Sequence, residues 1–165
     1  MSILNADVFN PKFLAQNTIT NDPKEIMEKN YWLGPDKKVG SFTLDLGCET
    51  RVSMVEIVNT HNAQYKDRST KEFKVLVSKN ENGSWDEVVH KTLEDSRFLP
   101  DPLPLKKFSF AEHIIKYVKF EILSFYGNGG GLQYFHVKGR NAYTKKFSKT
   151  FLFRFKMSET QEAEL

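Results

Sequence analysis

The stretch Asn59-Thr-His-Asn-Ala-Gln-Tyr-Lys-Asp-Arg-Ser-Thr70 concentrates the side chains best suited to recognition. Sugar binding needs planar donors and acceptors for vicinal hydroxyls and an aromatic face for the C–H side. Asn62, Asp67 and Arg68 supply the first, Tyr65 the second, and His61 adds a further polar ring. The same residue types also brace loops. Asp67 can accept backbone N–H groups, and Arg68 can pair with it or with a carbonyl. Two other places along the chain carry comparable side chains. Tyr126 and Asn128 sit in a glycine-rich run, Gly127-Asn-Gly-Gly-Gly131, which forms either a lip that lets backbone approach a partner or a plain turn. Tyr31 and Trp32 form either a stacking platform or, for Trp32, part of the core; Trp85 is expected in the core.

Catalytic signatures are missing. There is no G-x-S-x-G elbow, no HExxH, and no phosphate loop with its Lys-Ser/Thr, so no enzymatic activity is expected. The histidines His61, His90, His113 and His136 and the single Cys48 show no zinc-ligand spacing.

Strands must position these loops. Ser41-Phe-Thr-Leu-Asp-Leu46 alternates apolar and polar residues, and Gly47 is expected to stop it. Residues 51–58 follow as a strand buried on both faces, then residues 59–70 as a polar loop. Residues 72–78 and 85–90 pair through an Asn82-Gly83 turn that accepts positive φ. The proline-bearing stretch 93–104 reads as irregular. Residues 105–110, 114–123 and 132–138 complete about eight short strands, the pattern of an all-β antiparallel sandwich or barrel. Asp22 and Pro23 mark a short helical turn over residues 23–29.

The chain has 165 residues, one domain's worth, and 14 Phe, which favours pleated structure. Its net charge of +3 is too small to argue for a nucleic-acid partner, which usually requires a clustered basic face. One cysteine precludes an internal disulfide, and no signal-like or membrane-spanning run occurs, so a cytoplasmic location is expected. The domain is expected over residues 1–141. Residues 142–165 form an extension: Lys145 to Lys156 carries five positive charges and four Phe, followed by an acidic end expected to be disordered. The basic Phe-rich segment fits an edge strand, a partner-docking segment or contact with an anionic membrane.

Five motifs in order resemble the discoidin, or coagulation-factor type C, family of galactose-binding-like domains. They are Ser41-Phe-Thr-Leu-Asp-Leu-Gly47, Val52-Ser-Met-Val-Glu-Ile57, Thr70-Lys-Glu-Phe-Lys-Val-Leu-Val-Ser78 with Trp85, Ile115-Lys-Tyr-Val-Lys-Phe120, and Gly131-Leu-Gln-Tyr-Phe-His-Val-Lys-Gly139. The resemblance implies an antiparallel jelly-roll sandwich. Three loops would meet at one end of it: residues 30–35, 59–70 and 124–131. It also implies a non-catalytic binding module, most commonly for carbohydrate. Relatives inside cells, in ubiquitin-ligase and ciliary-transport assemblies, bind proteins instead, so a protein-adaptor role is the alternative. Some relatives hold a structural Ca²⁺ near the first loop, for which Asn21, Asp22, Asp36 and Glu121 are the weak candidates here; no other cofactor is expected. The chain departs from the family in lacking the disulfide of secreted members. It also reads Asn59-Thr-His-Asn62 where many members place a Gly-Arg pair.

Overall fold

The computed structural model describes residues 1–9, 11–19 and 31–143. Nine antiparallel strands run through them: β1 (Ser2–Ala6), β2 (Trp32–Leu33), β3 (Ser41–Asn59), β4 (Arg68–Thr70), β5 (Glu72–Ser78), β6 (Asp86–Thr92), β7 (Leu105–Ile122), β8 (Phe125–Gly127) and β9 (Gly131–Asn141). The helical turn expected at 23–29 and the basic Phe-rich segment lie outside the described residues.

The two longest strands make the sandwich. β3 and β7 pair along their lengths, but their other neighbours change halfway. β1 pairs with β3 only over Phe42–Asp45, and β5 with β7 only over Tyr117–Ile122. β9 pairs with β3 only from Thr50 to Asn59. One layer is therefore β1-β3-β7-β5-β6, and the other is β2-β9-β3-β7, built from the opposite halves of the shared strands. Phe135 of β9 packs against Phe42 and Phe120 at ring-centroid distances of 5.2 and 5.6 Å, although β9 shares no backbone bonds with those halves. The layers thus face each other, as in a jelly-roll sandwich.

This corrects two expected boundaries. Gly47 does not end a strand. Its φ of +84° and the bond its N–H donates to Asp45 Oδ1 (2.7 Å) make a bend, with a register shift between Asp45 and Thr50. The expected strands at 105–110 and 114–123 are likewise one 18-residue strand with a matching irregularity. Local patterning registers each bend as an interruption, because the buried face changes where the strand crosses between layers.

Trp32, Phe42, Phe73, Phe120 and Phe135 fill the core, all fully buried. Phe120 stacks on Phe42 and Phe73, and Trp32 meets Phe42 edge-on at 5.0 Å. Trp85 is not among them. It is half-buried on the surface, with the Lys119 ammonium over its ring at 5.6 Å. Adjacent strand residues face opposite ways, so Val58 and Tyr134 point away from the main core. There they are covered by Leu103, Leu99 and Leu105. The proline-bearing stretch expected as irregular is therefore a packed cover, with a 3₁₀ turn at Ser96–Phe98. At the β5–β6 turn, Gly83 N–H donates to Asn80 O (3.1 Å), and neither Asn82 nor Gly83 has positive φ; the expected Asn-Gly conformation is not used. Among the described residues no helix is long and apolar enough to cross a membrane.

Candidate functional site

The stretch from Asn59 to Thr70 is held at both ends by one side chain. Asn59 Nδ2 donates to Thr70 O (2.9 Å) and Ser69 Oγ (3.0 Å), while its Oδ1 accepts from the Thr60 and Thr70 N–H groups. Thr70 Oγ1 donates to Gly131 O (2.8 Å), and Ser96 Oγ donates to Thr60 O. The stretch is therefore not a plain polar loop: it holds a 3₁₀ turn at Ala63–Tyr65 and the short strand β4, which pairs with β8. Asn62, Ala63 and Lys66 adopt positive φ. Such residues cost roughly 1–3 kcal/mol each and persist where surrounding structure over-determines them. The buried polar frame supplies that constraint, and the turn it enforces leaves Tyr65 69% exposed.

Tyr65 forms one wall of a cleft of about 310 Å³, completed by Phe9, Phe13, Leu33, Asp36, Asn62, Asp67, Arg68 and Asn128. Asp67, half-buried, is one of these residues. Its Oδ1 accepts from Asn62 Nδ2 (2.7 Å) and its Oδ2 from Asn128 Nδ2 (3.2 Å). Each amide has a carbonyl oxygen and a second N–H beyond this bond; Asn128 is exposed and Asn62 is buried. Arg68 is 2% exposed. It donates to Gly34 O (3.0 Å), pairs with Asp36, and lies under the Phe9 ring at 4.3 Å.

The structure thus gathers Asn62, Tyr65, Asp67, Arg68 and Asn128 in one place. Arg68 is a brace, as its type allows: it donates to a backbone carbonyl, Gly34 O, while its carboxylate partner is Asp36 and not Asp67. Asp67 binds side-chain amides with its carboxylate, not backbone N–H groups. The tip glycines serve close packing. A Cβ on Gly129 would lie 2.6 Å from Arg68 Nη1, and one on Gly131 would lie 2.2 Å from Trp32 O; positive φ is needed only at Gly127.

Other candidates stand apart from the cleft. Tyr31 is buried behind it, stacked on Phe13 at 5.3 Å. Burial first, then the nearby Tyr65 and Asp67, push its phenol above the usual range. His61 is buried and bonds Asp101 Oδ1 through Nε2 (3.0 Å) rather than lining the cleft. Tyr126 lies within β8 but outside the cleft lining, its hydroxyl on Leu93 O (3.4 Å) and Arg97 near its ring. Of the cation candidates, Asn21 and Asp22 lie outside the described residues, Asp36 is committed to Arg68, and Glu121 pairs with Lys119 (3.0 Å). Among the described residues no group of three His, Cys, Asp or Glu is arranged to hold a metal. Phe9, Phe13 and Asp36 complete the cleft, and the frame residues Asn59, Thr70 and Ser96 position it. Only an alignment of the N-terminal segment with the loops in space exposes them, and no local periodicity carries that signal.

Residues 16–140 match the model of the Sad1/UNC-like C-terminal family, a discoidin, galactose-binding-like family. The chain belongs to this family. Among curated proteins none matches the sequence of this Sad1/UNC-like domain. Its fold is shared with several carbohydrate-binding modules. One is chitosan-binding module 1 of a chitosanase/glucanase from Paenibacillus sp. IK-5 (16% identity, 82% of this chain and 92% of that one, TM-score 0.64). A second is a CBM32 module from a family 31 glycoside hydrolase of Clostridium perfringens (18%, 84% and 90%, 0.66). A third, also from Clostridium perfringens, is a CBM32 module in complex with GalNAc-β-1,3-galactose (17%, 82% and 91%, 0.62). At these identities the likeness establishes the Sad1/UNC-like domain's jelly-roll and nothing finer.

Proposed function

We propose that this Sad1/UNC-like domain is a non-catalytic glycan-binding module whose cleft receives one sugar of a chain. The observation that carries the reading is the pairing, within one 310 Å³ cleft, of the exposed Tyr65 ring with the Asn62–Asp67–Asn128 fan. An aromatic face beside oriented amide and carboxylate groups is what a sugar's apolar and hydroxyl-bearing sides require. The fan is pre-organised by the frame around Asn59, so little ordering opposes binding. Structural neighbours described as chitosan-binding, or solved with GalNAc-β-1,3-galactose, support the same ligand class. The test is a set of NMR titrations with soluble oligosaccharides. Shifts centred on Tyr65, Asp67 and Asn128, lost in Tyr65→Ala, are expected; a full glycan panel without binding would overturn the reading.

A protein-adaptor role has one observation in its favour. Phe98 is 80% exposed and packs on Arg97, which also approaches Tyr126. Exposed aromatic and Arg side chains are the usual anchors of protein interfaces. Affinity capture with Phe98→Ser against the unaltered chain separates this reading from the first, since Phe98 does not line the cleft.

A further inference from the structure

We propose that the cleft selects sugars carrying a positive charge, amino sugars with a free amine, over N-acetylated and acidic sugars. This rests on the glycan reading above and refines its ligand class. Among the described residues three charged side chains line the cleft: Asp36, Asp67 and Arg68. The only cation of the three is built into the wall. Its side chain is 3% exposed, its Nη1 donates to Gly34 O, its Nη2 engages Asp36, and Phe9 covers its face. Arg68 therefore presents no open fork to a ligand carboxylate, the geometry by which Arg recognises acids.

The carboxylates are placed differently. Asp36 holds Arg68 through Oδ1, and its side chain stays 55% exposed. Asp67 is half-buried and held by two neutral amides, which orient its oxygens without neutralising them. Two carboxylates against one guanidinium leave the described lining with one net negative charge, and with Asp36 paired to Arg68 it rests on Asp67. Among the described cations nearby, Arg97 is engaged by Asp95 through two nitrogens, at 3.0 and 2.7 Å, and reaches Asp67 only through its field, while Lys37 and Lys66 lie outside the lining. Tyr65 adds the electron-rich face of its ring, which attracts a cation for the same reason. A protonated amine thus meets a carboxylate and a ring face together, while a uronic acid meets Asp67 with like charge.

The overall charge of the chain makes the preference diagnostic. At +3 it draws anions through its diffuse field, so selection of a cationic sugar has to arise locally.

The experiment is isothermal titration of the full chain with hexamers of glucosamine, N-acetylglucosamine and galacturonic acid. It is run at about pH 6, where an ordinary amine holds its proton. The glucosamine hexamer is expected to bind about tenfold more tightly than its acetylated counterpart, the scale of a charge-assisted over a neutral hydrogen bond. That margin should close at about 1 M salt, where screening is short-ranged. It should also close in Asp67→Asn. Should that variant disturb Asn62 and Asn128, the salt series on the unaltered chain still decides the matter. Equal affinity for amine and acetamide, a margin that salt leaves intact, or tighter binding of galacturonate would overturn the charge selectivity and leave glycan binding standing. Failure of all three hexamers, and of neutral oligosaccharides beside them, would overturn both.

Discussion

Replacing Arg68 with Met tests whether the cleft is held from inside its own wall. Met keeps most of the unbranched stem and its packing but removes the guanidinium. The buried bond to Gly34 O is a hydrogen bond from a charged donor, worth about 1.5–3 kcal/mol. The pair with Asp36 counts for less, about 0.2–1 kcal/mol, because that carboxylate is 55% exposed and screened. The contact with Phe9, itself 42% exposed, adds about 0.5–1 kcal/mol. Together they predict a loss of about 3 kcal/mol. For a chain of this size, with a urea slope of about 2 kcal/mol/M, the unfolding midpoint should fall by about 1.5 M. Arg68→Lys keeps the charge but not the planar fork, and should fall between. A midpoint shift below about 0.3 M for Arg68→Met would refute the reasoning. It would mean that the Gly34 turn and the Gly129 backbone are held by packing alone.

Three further outcomes follow from the same structure. Gly131→Ala places a Cβ 2.2 Å from Trp32 O at a position with ordinary φ. It should therefore cost more than about 2 kcal/mol by urea unfolding, and a neutral result would contradict the β2–β9 register. Glu56 is 3% exposed, and burial alone would raise its carboxyl. The bonds and charges of Lys107 and Lys138 outweigh burial and hold it below the usual glutamate range. A depressed folded value means that this contribution is present above the ordinary value of about 4.3 and is lost as pH falls through the lower folded one. Stability-versus-pH curves of the unaltered chain and Glu56→Gln should therefore converge on the acid side, and parallel curves would argue against the ion pairs. Trp32→Phe removes a fully buried indole and its bond to Asp7 O (2.7 Å), whereas Trp85 is only half-buried. Thermal melts should show a loss of about 2–4 kcal/mol for the first and under about 1 kcal/mol for Trp85→Phe; equal losses would place Trp85 back in the core.

Much of the scaffold is legible without coordinates because a strand with one buried face writes its period into the chain. Phe42 and Leu44, Phe73, Val75 and Val77, and Val118 and Phe120 all fall on the expected inward faces. The same logic fails at Gly47 and at residues 110–113, where a strand leaves one layer and enters the other. It fails too at Trp85, because a large aromatic carries packing capacity but no address. Covered by Leu103 and Leu99, Val58 and Tyr134 show the same limit: the cover arrives from another part of the chain.

The candidate site divides in the same way. Residue type and adjacency alone single out the stretch from Asn59 to Thr70 and the turn containing Asn128 as places with recognition chemistry, since planar polar groups and a Tyr in a turn-rich run are local facts. The roles were decided by tertiary structure. Whether Arg68 faces a ligand or the wall depends on Asp36 and Gly34, more than thirty residues earlier. How the Asp67 carboxylate is held depends on Asn128, sixty-one residues later. His61 belongs to Asp101 instead of the cleft for the same reason. Electrostatic partners act over a few ångströms of space and at any distance along the chain, so composition names the candidates and only the packed sandwich assigns their work.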